Sequence, residues 1–387
     1  MRSILKWVLR IVLALALAAA AIGLWKREEL QRLMAVNSLF SEDKIVHNFS
    51  HMDEAFLTVD LPRGNAPTWE LPYGEGFDLP EGTDNWINER SVTSLLIMQN
   101  GKIRFEEYYL GTGPDDRRIS WSVAKSYLSA LFGILLQEGV IDSLDDPVVN
   151  YAPKLADSAY NTATIRNVLN MASGVTFDED YLDPKSDINR MGRVIALGGE
   201  LDDFAASLQD SFAPPGETWQ YVSIDTHVLG MVIRGATGRS VADLLTERIL
   251  QPLGLERDGY YVTDGAGVAF VLGGLNFTTR DFARFGQMIL QDGELSGRQV
   301  VPADWIFEAT QPSAPTARGK IGYGYQWWIP RGAHEGEFLA RGVYGQYIYF
   351  NQPRGVLIVS TGADRHFRDT GVNDQNIEMF RKIAESL

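Results

Sequence analysis

The order in which strand-like and helix-like stretches follow one another constrains this chain most. Ser94–Gln99 reads as a strand, Asn100-Gly101 as the dipeptide of a type I′ turn, and Lys102–Tyr109 as the returning strand. In the return, Ile103 and Phe105 alternate with Arg104 and Glu106. A long apolar helix begins near Ser122 and runs past Leu136 to a stop at Glu138-Gly139. The stretch from about Asp142 to Glu256 is mainly helical. Thr164–Met171, Val228–Ile233 and Val241–Leu250 carry helical patterns, the last stopped by Gln251-Pro252. Asp281–Gln291 is a further helix. Strands return at Tyr323–Ile329, Phe338–Ala340, Tyr347–Phe350 and Val356–Thr361, and Asn373–Leu387 closes the chain as a helix. Strands at both ends must meet in one sheet, with the helical stretch inserted between them. The expected fold class is therefore α+β: an antiparallel sheet flanked by helices, with an inserted mainly helical region.

Composition narrows the function. With 387 residues, 45% of them hydrophobic, the chain can bury a sizeable core in one large or two intertwined domains. Its 50 acidic residues against 35 basic ones leave a net charge of −15, which argues against nucleic acid as a partner. There is no cysteine, so disulfides, thiolate zinc sites, Fe–S clusters and a cysteine nucleophile are excluded together. His47 and His51 stand four apart without a third ligand and read as a surface helix face. No metal and no cofactor is expected.

Residues 1–25 form a membrane-directed segment. Arg2, Lys6 and Arg10 make a basic start, and Ile11–Leu24 is free of charge. About 14 apolar residues suit a signal-peptide core, whereas a bilayer span takes about 20. Counted from Ile4, the segment is long enough for an uncleaved anchor. Ala18–Ala21 would suit cleavage, but Trp25-Lys26-Arg27 resembles an interfacial boundary and favours the anchor. Either way the basic end stays cytoplasmic and the rest is exported, to the periplasmic face of the cytoplasmic membrane if anchored. Residues 26–90 read as a lead-in wrapping the surface of the main domain, with a Pro- and Gly-rich stretch at Pro62–Thr83.

The chemistry concentrates where the long helix begins. Ser122 and Lys125 lie three residues apart, so they share a helix face roughly 5–6 Å apart at Cβ. The positive end of the helix dipole favours an alkoxide there. A buried lysine loses affinity for its proton and can act as a base near neutral pH. Such a pair activates a serine without histidine. Ser3/Lys6 and Ser41/Lys44 have the same spacing, but neither opens a comparable apolar helix within the main domain.

From roughly Ser91 to the C-terminus the layout resembles the serine β-lactamase and penicillin-binding-protein family. It looks closest to the class C-like branch of 6-aminohexanoate-dimer hydrolases and family VIII esterases. Ser122-Val123-Ala124-Lys125 with Ser126-Tyr127 is similar to the first motif of that family. Asp142–Val148, Leu169–Gly174, Pro215-Gly216-Glu217 through Tyr221-Val222-Ser223, and Pro252–Leu255 resemble its later landmarks, in the right order. The resemblance implies a β-lactamase/transpeptidase-like fold and a serine hydrolase domain over residues 91–387. It implies Ser122 as nucleophile, Lys125 as base and Tyr221 as proton shuttle, with the phenol pKa lowered by the lysine. Ser223 takes the place of the asparagine of many members and would hydrogen-bond Lys125 or substrate.

The third motif departs from the family. No Lys-Thr-Gly or His-Thr-Gly occurs; the matching stretch is Ala340-Arg341-Gly342. The missing lysine would have held a β-lactam carboxylate, so ester or linear amide cleavage is expected to exceed β-lactam cleavage. Gly342 keeps the close backbone approach that glycine allows. The backbone N–H groups of Ser122 and Val343 would form the oxyanion hole. Arg341 is the substitute cation nearby, and strand alternation leaves its direction open. The expected substrate is a small ester or amide. The alternatives are a penicillin-binding or sensing domain with little turnover, and a cell-wall D-alanyl peptidase. The presence of both Lys125 and Tyr221 disfavours the first, and the absent Lys-Thr-Gly disfavours the second.

Overall fold

The computed structural model describes residues 2–387. Its strands are β1 (Thr58–Leu61), β2 (Val92–Gln99), β3 (Lys102–Tyr108), β4 (Arg118–Ile119), β5 (Gly259–Val262), β6 (Leu275–Phe277), β7 (Glu294–Leu295), β8 (Arg298–Gln299), β9 (Gly322–Tyr323), β10 (Trp328–Ile329), β11 (Glu337–Gly342), β12 (Gln346–Asn351) and β13 (Val356–Gly362). The helices of ten residues or more are α1 (Arg2–Trp25), α2 (Arg27–Ser38), α3 (Ala124–Gln137), α4 (Asp187–Ala196), α5 (Ser223–Thr237), α6 (Thr279–Leu290) and α7 (Val372–Ser386).

The main sheet has seven strands in the order β3-β2-β13-β12-β11-β10-β9. Strands from the two ends of the chain do meet: β2 pairs antiparallel with β13, with Ile97 opposite Ile358. Asn100 and Gly101 both have positive φ, 51° and 77°, as the β2–β3 turn requires. Period-two alternation divides the side chains between the faces. Leu95, Ile97 and Ile358 join Phe380 and Ile383 of α7 on one face. Leu96, Met98, Leu357 and Val359 join Phe282 and Phe285 of α6 on the other. The sheet is thus a middle layer between helices, and the fold is α+β. Beyond α6 the inserted region packs around α3, of which every residue from Ala124 to Leu135 is buried.

Three details differ from the sequence reading. Residues 26–90 do not merely wrap the surface. β1 pairs with β5 in a second sheet, β1-β5-β6-β4, and Leu39, Phe49, Met52, Leu61 and Leu71 belong to the main core. Arg118, fully buried, donates to the Val46 carbonyl at 2.6 Å and to Ser50 Oγ at 2.8 Å, which ties this stretch to β4. Tyr323–Ile329 is not one strand. Its ends, β9 and β10, pair with each other around a reversal at Gln326, whose φ is 67°. The helical run from Val241 passes through Pro252 and stops at Gly254, whose φ is 63°. A wide π-type stretch over Thr246–Leu250 precedes Pro252, and the run ends two residues after the proline.

α1 is one continuous helix, and Ile4–Trp25 within it is long and apolar enough to cross a membrane. At 1.5 Å per residue its 24 residues rise about 36 Å.

If the lead-in is part of the core, Leu61→Ala leaves a cavity where Leu61 is 0% exposed. It is expected to destabilise the protein by about 2–5 kcal/mol. A urea titration read by tryptophan fluorescence measures this, and an unchanged midpoint would contradict the placement.

Candidate active site

Ser122 lies in a tight turn, Trp121–Val123, that feeds directly into α3. Val123 and Ala124 both have right-handed helical backbone, so Ser122 and Lys125 keep their shared face. The residue before Ser122 is strained: Trp121 has φ 43°, a region that bulky side chains rarely enter. Aromatic packing holds it there. The Trp121 ring lies 5.4 Å from Phe49 and 5.7 Å from Phe40, both from the stretch before β1.

Lys125 is buried. Its Nζ donates to the Ser223 carbonyl at 3.4 Å and to Thr226 Oγ1 at 3.3 Å, and sits 5.4 Å from the Tyr221 ring centre. Burial lowers its pKa to about 7, against the pull of Glu179 and Asp225, which raise it. At pH 8 the amine is therefore largely neutral and has a free lone pair.

Two carboxyl groups flank the lysine, the partly buried Glu179 and the fully buried Asp225. The Ser223 backbone N–H and the Tyr181 hydroxyl both donate to Glu179. Burial raises the Glu179 pKa, while Lys125 lowers it. Asp225 accepts from the Tyr160 hydroxyl at 2.7 Å, and burial pushes it up to about 7. Gln326 braces the same corner. Its side chain accepts from Thr226 Oγ1 at 2.7 Å and donates to the Leu169 carbonyl at 2.9 Å, while its own carbonyl accepts from Ser126 Oγ at 2.8 Å. No motif in the sequence marks Glu179, Asp225, Thr226 or Gln326. They come from three separate stretches, around Glu179, Asp225-Thr226 and Gln326, that only the fold brings together.

The sequence-selected residues converge. Tyr221 stands two residues before α5, stacked on Trp328 at 5.1 Å. Its pKa is not lowered by the lysine as expected. Burial raises it first, and Glu179 adds to that, while the Ser122 hydroxyl, Arg341 and Ser223 pull the other way. Desolvation of a would-be phenolate outweighs the nearby cation. Ser223 opens α5, with its backbone on both Lys125 and Glu179. Gly342 ends β11 against the Ser122 turn, where an added Cβ would lie 2.6 Å from the Ser120 carbonyl oxygen. Val343 lines the same cavity as Ser122. Arg341 is half-buried, with its guanidinium 4.9 Å from the Trp328 ring centre, so it points toward the Tyr221 side. Ser120 and Ser126, the nearest other hydroxyls, are buried and donate to backbone carbonyls. His47 and His51 stack at 4.1 Å, but not on one helix face as read: His47 lies in the short helix Ile45–Asn48 and His51 beyond its end.

Comparison with known proteins identifies the family of the chain. The Beta-lactamase family pattern matches residues 86–377. The chain is 29% identical over 293 residues to the 6-aminohexanoate-dimer hydrolase of Paenarthrobacter ureafaciens, covering 72% of this chain and 74% of that one. A solved structure described as a candidate 6-aminohexanoate-dimer hydrolase from Bacillus anthracis superposes with a TM-score of 0.80 at 25% identity, over 90% of this chain and 95% of the other. EstCE1, a hydrolase with promiscuous acyltransferase activity, shares the fold at a TM-score of 0.61 and 16% identity, over 79% of this chain and 96% of its own. The chain belongs to the beta-lactamase family and is a serine hydrolase within it.

Proposed function

We propose that the protein cleaves an ester or amide through an acyl-enzyme on Ser122. The observation that carries this reading is the buried Lys125, whose amine binds its proton only up to about pH 7 beside a serine that shares its helix face. Ser122 Oγ attacks the substrate carbonyl and its proton passes to Lys125 Nζ. The backbone N–H groups of Ser122 and Val343 hold the tetrahedral oxyanion, and Gly342 allows β11 to come close enough for this. Tyr221, kept protonated by burial, relays a proton to the leaving group in its neutral form. Water then attacks the acyl-enzyme, and the same groups run in reverse. Ser223 and Thr226 hold Lys125 in place between the two half-reactions.

Arg341 is the cation nearest the leaving-group side, in place of the lysine of the third family motif. It is flat and held against Trp328 rather than presented as a mobile ammonium. Together with the relative named for a linear amide, this supports esters and linear amides over β-lactams as substrates. The purified protein tests it on p-nitrophenyl esters, linear amides and a chromogenic cephalosporin. Cephalosporin turnover faster than ester turnover would reverse the substrate reading.

Two further outcomes are expected. Tyr221→Phe lowers kcat by about 10²–10⁴-fold but leaves measurable turnover. Because the working base is neutral Lys125, kcat/KM falls by about tenfold per pH unit below pH 7 and is level above it. A profile flat down to pH 5 would remove Lys125 from the base role.

Residues 1–25 we read as an anchor that leaves residues 91–387, the hydrolase domain, on the far side of the cytoplasmic membrane. The basic start Arg2, Lys6 and Arg10 stays on the cytoplasmic side. A reporter fused after Leu387 distinguishes the two sides, and activity confined to the cytoplasm would contradict the anchor topology.

A further inference from the structure

Ser122 opens into a slot of about 110 Å³ whose walls the proton-transfer machinery does not use. Met191 and Ile195 of α4 form one wall, and Phe270 and Leu272, just before β6, form another. Leu39 and Phe40, at the end of α2, close it from above. No charged side chain is among the described residues that line it. Beyond the Trp121–Val123 turn and Ser223, its few polar groups are already engaged: Asn189 Nδ2 donates to the carbonyls of Tyr181 and Asp183, and the Tyr181 hydroxyl donates to Glu179. The slot offers a ligand apolar contact and little else.

The roof has a direct connection to the membrane segment. α2 follows α1 after a single residue, Lys26. It is clamped onto the slot wall by Arg32, whose Nε donates to the Ala196 carbonyl at the end of α4 at 3.0 Å.

We propose that the slot takes the unbranched, uncharged acyl chain of a lipid-like ester or amide, with α2 as its roof. This rests on Ser122 being the nucleophile. The acyl carbon sits at Ser122 Oγ and the methylenes run between α4, the β6 approach and α2. The scissile C–O or C–N bond breaks as the Ser122 ester forms. Water supplies the hydroxyl of the released fatty acid, and the alcohol or amine leaves with the relayed proton. An acyl chain ending in an ammonium would have to leave that charge unpaired against apolar walls.

The full chain in detergent micelles, assayed on p-nitrophenyl acetate, butyrate, hexanoate and octanoate, provides the test. From acetate to octanoate kcat/KM is expected to rise about tenfold or more, inside the roughly fourfold-per-methylene ceiling of complete burial. The p-nitrophenyl ester of 6-aminohexanoate is expected to react more slowly than the hexanoate. A Cβ at Gly192, on the α4 side of the slot, would meet nothing within 4 Å, so a side chain can be built there without moving the backbone. Gly192→Phe is expected to collapse the octanoate-to-acetate ratio.

A flat or falling chain-length profile, or preference for the aminohexanoate, overturns the proposal, and the unaltered protein suffices to show either. Loss of all turnover in Ser122→Ala alongside such a profile would leave the nucleophile standing and sink only the slot. Undiminished turnover in Ser122→Ala would sink the nucleophile reading instead. Reconstitution in phosphatidylcholine vesicles carrying a monoacylglycerol separates the two sources of such a chain. Hydrolysis of the embedded glyceride points to the membrane as the source, and hydrolysis of dissolved octanoate alone rules that source out.

Discussion

Everything near Ser122 depends on keeping the Lys125 amine out of water. An ammonium with so little hydration is poorly stabilised, and its pKa falls to about 7. Opposite charges could undo this by pairing with it. Glu179 and Asp225 are close enough to raise the lysine pKa, yet burial, partial for Glu179 and complete for Asp225, shifts both upward. Burial thus moves the lysine down and the two carboxyl groups up, toward one another, a condition suited to moving protons at neutral pH. The weak contacts of Nζ, 3.3–3.4 Å to Thr226 and Ser223, hold the amine in place without binding it as a tight ion pair would.

The sheet is placed to serve that lysine. β11 ends at Gly342, pressed against the Ser120 carbonyl, and the chain then turns through Tyr344 and Gly345 with φ of 61° and 92°. Gln346 holds this turn, donating to the Gly362 carbonyl at 2.9 Å and to the Tyr344 carbonyl at 3.2 Å. On the other side of Ser122, Trp121 keeps its strained backbone through Phe40 and Phe49. Strain of this kind costs of order 1–3 kcal/mol and persists only where the surroundings impose it. Phe40 also stacks on Tyr344 at 4.7 Å, so one aromatic cluster fixes both strained turns that flank Ser122. The lead-in before β1 is therefore part of the scaffold around Ser122.

Much of this was legible in the residues, for reasons that can be named. Asn100-Gly101 between alternating strands, the apolar helix after Ser122, and the strands at both ends of the chain are local or periodic signals, and all were found as read. β5 and β6 were not legible, because Gly259–Val262 and Leu275–Phe277 are short and buried throughout, without alternation. Tyr323–Ile329 looked like one strand because the left-handed position of the reversal is taken by Gln326, not by the nearby Gly324. At the site, the i,i+3 pair and the motif positions were visible, whereas Glu179, Asp225 and Gln326 join the lysine only through tertiary packing. The Tyr221 shift went against expectation because burial, which a motif does not report, outweighed the nearby cation.

The account stands most directly on the identity of the nucleophile. Incubation with a fluorophosphonate followed by peptide mass spectrometry locates the covalent adduct. The account predicts a single adduct on Ser122 that disappears in Ser122→Ala. An adduct on Ser120 or Ser126, or an undiminished adduct in Ser122→Ala, would contradict it.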